Sequence, residues 1–146
     1  MNKRGDVAGI LELCGSFETM SIGAGDFLFR EGDPAHALYI VKKGVLRILR
    51  GHIVYETVRS GGIVGEMAII TVGAARSASV IAGTYGELIE INTERFLSLI
   101  SERPDFSLAV MLVMARRLRI MNERYRPGMY QHEVSKEIAV QQKDYA

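Results

Sequence analysis

The fold is constrained most by a succession of short β-branched and aromatic runs separated by glycine turns. The runs are Thr19 to Ile22, Phe27 to Arg30, Ala37 to Val41, Val45 to Arg50, Ile53 to Val58, Ala78 to Ala82 and Leu88 to Ile91. Between them lie Gly23 to Asp26, Gly32-Asp33-Pro34, Lys43-Gly44, Gly51-His52, Ser60 to Gly62 and Gly83 to Gly86. No run is long enough for a buried helix, and each is bounded by residues that turn the chain. Seven short strands at this spacing predict a mainly β fold, an antiparallel jelly-roll barrel. Most of the separator glycines read as turn formers.

Helical spacing brackets the β region. Ile10, Leu11, Leu13, Cys14 and Phe17 predict a short N-terminal helix that Gly15-Ser16 stops. After Ile91, Asn92-Thr93 reads as a helix cap leading into Phe96, Leu97, Leu99 and Ile100. Pro104-Asp105 opens a longer helix that Pro127-Gly128 ends. Residues 108 to 115 are apolar on every side, so a second buried face is expected. Met111, Ala115, Leu118, Asn122 and Tyr125 follow the four-and-three steps of a helix-pair seam. Two covers fit: a second copy, giving a homodimer through the 105–125 helix, or the residues after Pro127.

The chemistry concentrates between Gly61 and Ala78. Gly61, Gly62 and Gly65 let the backbone take positive φ and approach a ligand, so that N–H groups converge on an anion. A helical turn starting near Glu66, through Met67 and Ala68, is expected to add free N–H groups. Arg76 brings a planar fork that grips two phosphate oxygens, and Ser77 adds a hydroxyl donor. Glu66 beside a phosphate requires a positive or donating neighbour, and Arg76 and a ribose hydroxyl are its candidates.

These residues carry a resemblance. Gly65-Glu66-Met67-Ala68-Ile69-Ile70, with Arg76-Ser77-Ala78 ten positions after the glutamate, is similar to the phosphate-binding cassette of cyclic nucleotide-binding domains. Gly25 to Pro34, Leu38 to Val41 and Gly44 to Ile48 resemble the opening strands of that family. The resemblance implies that Glu66 holds the ribose 2′-hydroxyl and that Arg76 and Ser77 bind the cyclic phosphate, with Gly65, Met67, Ala68 and Ala78 in the cassette. Two departures stand out: Val64 where an aromatic residue is common, and Ala75 where kinase-type sequences have proline. Met114 to Leu118 resembles the cyclic AMP receptor proteins, which places Met121 and Asn122 near the base and makes Arg117 a second ligand or Glu66 contact. Tyr125 and Tyr130 are candidates for an aromatic lid. The ligand implied is cyclic AMP, with cyclic GMP the alternative.

Other classes find little support. With 146 residues, 48% hydrophobic and 24% charged, the chain has the composition of a folded domain, and its formal charge of +1 makes no electrostatic case for DNA. A lone cysteine, Cys14, fits a reducing compartment and reads as a small buried hydrophobe. The longest apolar run, Leu108 to Ala115, is too short to span a membrane. His36, His52 and His132 show no metal-ligand spacing, and no nucleophile elbow or carboxylate pair argues for an enzyme. Residues 1–126 are expected to form the nucleotide-binding domain, with 127–146 a tail too short for a DNA-binding domain. The expected function is a stand-alone cytoplasmic sensor that acts on an unknown protein effector through helix rearrangement. The alternatives are a non-binding structural or interaction module of the same fold, and a regulatory fragment of a larger channel or transcription factor.

Overall fold

The computed structural model describes residues 8–71 and 73–124. Val72, Tyr125, Tyr130 and the 127–146 tail lie outside the described residues, as do the side chains of Ile10 and Leu13. The chain divides into two compact units, Met1–Met111 and Leu112–Ala146.

In the first unit, α1 (Ala8–Leu13) precedes eight strands: β1 (Met20–Ile22), β2 (Phe27–Phe29), β3 (Ala37–Lys43), β4 (Leu46–Arg50), β5 (Ile53–Val58), β6 (Ile63–Val64), β7 (Ser79–Ala82) and β8 (Gly86–Asn92). A single turn of helix, α2 (Met67–Ile70), lies between β6 and β7. The helix α3 (Thr93–Glu102) follows β8, and α4 (Pro104–Arg124) runs into the second unit.

The strands form two four-stranded sheets, ordered β1-β8-β3-β6 and β2-β7-β4-β5, with every pairing antiparallel. The jelly-roll expectation holds in this form, as two facing sheets rather than a closed barrel. Closure would need hydrogen bonds between the edges, and among the described residues no strand is shared between the two sheets. The β6 strand has no sequence signal of its own. Two residues are too few to show alternation, and Ile63 and Val64 sit between glycines; they become a strand by pairing with Ile40 and Tyr39 of β3.

Two apolar layers explain why β3 reads as an unbroken hydrophobic run. Ala37, Tyr39 and Val41 face the sandwich interior with Val64, Ala78, Val80 and Leu88. Leu38 and Ile40 face the other way, paired with Ile91 and Ile89 of β8, and all four are fully buried or nearly so. The helix α3 contacts β8, Leu99 of that helix is buried, and Phe106 has no exposed surface, its ring 5.7 Å from that of Phe96. Each such side chain contributes on the order of 1.5–3 kcal/mol. Of the two cap candidates, Asn92 and Thr93, Asn92 is the cap: its Oδ1 accepts the N–H of Arg95 at 2.8 Å and starts α3 against β8.

Cys14 is 1% exposed, and burial raises its thiol pKa against the opposing charge of Arg95. A buried, protonated thiol is a packing group. No helix among the described residues is long and apolar enough to cross a membrane. Of the seam residues on α4, Met111 and Leu118 are 56% and 61% exposed, and Ala115 and Asn122 are exposed as well.

Candidate functional site

Arg76 is the centre of the site, and its backbone is held before its side chain is considered. Its N–H donates to Asp33 O at 2.8 Å, its own carbonyl accepts from Gly32 N at 2.9 Å, and Ala75 pairs with Pro34. The Gly32-Asp33-Pro34 turn is itself closed, Asp33 accepting the Arg30 N–H at 2.9 Å through Oδ2. The turn read from sequence as punctuation is therefore a clamp on the arginine.

The side chain then runs inward until 6% of the residue is exposed. Nη2 donates to Ala37 O at 2.9 Å, and Nη1 reaches Gly65 O at 3.4 Å, a long bond. The face of the guanidinium lies over Phe29, its Cζ 3.9 Å from the ring centroid, with Tyr39 at 5.8 Å. Among the described residues Nε has no hydrogen-bond partner, although it is buried. Burial lowers the pKa of Arg76; Tyr39, Asp33, Glu66 and Glu90 act against that shift. A guanidinium stays charged at neutral pH even so. The result is a buried cation whose Nε–H has no partner among the described residues.

Gly65 makes this approach feasible. Its φ is +76°, and a Cβ there would stand 2.6 Å from Arg76 Nη1 and 3.2 Å from Ala37 O. Gly62 has no positive φ; it is needed because a Cβ would strike Val58 Cγ1 and Arg59 O. Glu66 follows, 7% exposed, and its charge acts on Arg76.

The expected helical turn is present, and two of its N–H groups are used within it. The α2 segment has four residues, and the N–H groups of Ala68 and Ile69 are bonded to Gly65 O and Glu66 O. Those two donors are turned into the loop and do not point to an anion. Ala68 is buried while Met67 is 44% exposed; Ser77 is exposed, and Ala78 lies in the core. The structure thus brings Gly65, Glu66 and Arg76 together. Arg117, half-buried, and Asn122, exposed, belong to the second unit.

Four participants escaped the sequence reading: Phe29, Tyr39, the Ala37 carbonyl and Glu90. Tyr39 and Glu90 are cross-strand partners on β3 and β8, and the pKa of Tyr39 is raised by burial and then by Glu90, with Arg76 opposing. In sequence these residues sit inside ordinary strand runs, and nothing marks them. No group of three or more His, Cys, Asp or Glu among the described residues could hold a metal ion.

Residues 19–103 match the family described as cyclic nucleotide-binding domain. The chain belongs to that family. It is 31% identical over 102 residues to the cAMP-activated global transcriptional regulator CRP of Escherichia coli, covering 66% of this chain and 49% of that one. It is also 36% identical over 109 residues to an uncharacterized NTE family protein of Mycobacterium tuberculosis, covering 73% of this chain and 18% of the relative. Among solved structures, the c-di-GMP responsive global regulator CLP of Xanthomonas campestris superposes with a TM-score of 0.71 at 27% identity, covering 80% of this chain and 61% of that one. This chain spans about half the length of the CRP sequences it matches. The matched region contains the whole cassette and stops before Arg117 and Asn122.

Proposed function

We propose that this chain is a cyclic nucleotide sensor whose ligand is cyclic AMP. The observation that carries the reading is the buried Arg76 cation, whose Nε lacks a partner among the described residues, beside the Gly65 loop. Leaving a charged donor buried and unmatched costs free energy, and a cyclic phosphate would offset that cost. Glu66 binds the ribose 2′-hydroxyl in this proposal, and Ser77 binds the phosphate beside Arg76. Gly65 lets the loop approach, with Met67, Ala68 and Ala78 shaping the cassette. Arg117 and Asn122 are added to the proposed ligand residues on the resemblance to the receptor proteins alone. The preference for cyclic AMP rests on the likeness of residues 108–121 to the receptor proteins.

Phosphate binding draws the segment after Glu66 inward, and the helices after β8 re-pack, a shift between two populations that a protein effector reads. The nucleotide-binding domain is assigned to residues 1–126, in the cytoplasm, without a metal or a catalytic role. The exposure of Met111 and Leu118 supports a homodimer through α4.

One observation favours a second reading, an interaction module that does not bind nucleotide. The terminal amino groups of Arg76 already donate to Ala37 O and Gly65 O, so the arginine also serves as an internal brace. Calorimetric titration of nucleotide-free protein with cyclic AMP, cyclic GMP and cyclic di-GMP separates the two. Cyclic AMP binding at micromolar Kd or tighter, about 8 kcal/mol or more, is the expected result. Heat with only another nucleotide would reassign the ligand, and no heat with any of the three would leave the brace.

A further inference from the structure

We infer that Phe29 is a positioning residue for the ligand arginine, its ring fixing the guanidinium plane so that the Nε edge is presented to phosphate. The inference rests on the sensor reading above. A guanidinium has a face and three in-plane edges, and to grip an anion it must be held without using the gripping edge. Here the face is taken by Phe29 at 3.9 Å, Nη2 by Ala37 O and Nη1 by Gly65 O, while Nε has no partner among the described residues.

The ring and the carbonyl come from different layers. Phe29 ends β2 in one sheet, and Ala37 begins β3 in the other. Arg76 is therefore held between the two sheets, by a carbonyl of one and a ring of the other. Tyr39 braces the ring, its centroid 6.2 Å from that of Phe29. Gly65 completes the fit, since a Cβ there would lie 3.4 Å from Phe29 Cε1 as well as against Nη1. An aliphatic residue at 29 would fill the same space, but it has no quadrupole to hold the cation flat. Bidentate binding through the Nε edge leaves the stack and the Ala37 bond intact, so the ring acts in the bound state too.

Two readouts on the whole chain test this with Phe29→Leu and Phe29→Tyr, each checked by melting curve. In nitrogen-labelled, ligand-free protein, the Arg76 Nε–Hε resonance, assigned by its loss in Arg76→Lys, should be shifted by the ring current. That shift should vanish in Phe29→Leu and persist in Phe29→Tyr. Titration with cyclic AMP should show about tenfold weaker binding for Phe29→Leu, and Phe29→Tyr should stay within about twofold of the parent. An unshifted resonance in the parent, or a leucine variant that binds as the parent does, overturns the inference. So does a tyrosine variant as weak as leucine, since volume alone would then explain the loss. A parent that binds no cyclic nucleotide refutes the sensor reading and the ligand half of this inference, and the resonance comparison alone then decides the stack.

Discussion

Arg76 donates through Nη2 to the main-chain oxygen of Ala37 at 2.9 Å, across 39 positions of sequence. That bond ties the arginine to the first residue of β3, one of the two inner strands of its sheet. The same guanidinium reaches the carbonyl of Gly65 at 3.4 Å, so it bridges the glycine loop and β3.

Gly65→Ala tests the close approach. The new methyl would lie 2.6 Å from Arg76 Nη1, on a backbone at φ +76° that L-residues avoid. Strain of about 1–2 kcal/mol is expected, together with displacement of the guanidinium. The variant should melt earlier and lose at least about tenfold in cyclic nucleotide affinity, since 1.4 kcal/mol is one decade. A variant with the parent's melting temperature and affinity would mean that the loop is loose.

Glu66→Gln addresses the sugar. A carboxylate accepting a ribose hydroxyl contributes about 1.5–3 kcal/mol, so the parent should prefer cyclic AMP over its 2′-deoxy analogue by about ten- to a hundredfold. The glutamine variant should lose most of that preference. If both proteins discriminate equally, the hydroxyl is read elsewhere.

The exposed apolar residues of α4 predict self-association. Sedimentation velocity at micromolar concentrations should show a dimer, and Leu118→Glu, which places a charge on a seam residue that is 61% exposed, should leave a folded monomer. A monomeric parent at every concentration, with or without nucleotide, removes the dimer.

Much of this architecture was legible in the chain because its signals are local. Ile53 to Val58 is a strand over the residues that its β-branched run marks out, and Asn92 caps α3 as its position before Thr93-Glu94-Arg95 implies. The β6 strand was not legible, because two residues acquire their conformation from Tyr39 and Ile40 rather than from their own pattern. The same limit applies at the site. Gly65, Glu66 and Arg76 stand out as residue types, and the structure places them together. Phe29 does not stand out: its role depends on which ring ends up beneath a side chain 47 positions away, a property of the packed sandwich. Nor could composition reveal that the α2 turn would use the N–H groups of Ala68 and Ile69 internally.

The central claim is that Arg76 is the anion-binding group, and titrating the parent and Arg76→Ala with cyclic AMP side by side tests it most directly. With both proteins folded by melting curve, the account predicts micromolar or tighter binding by the parent. The variant should lose about 2–5 kcal/mol, the scale of deleting one partner of a buried charge contact. An alanine variant that binds cyclic AMP as tightly as the parent would contradict the account, since the nucleotide would then be held by something other than the buried arginine.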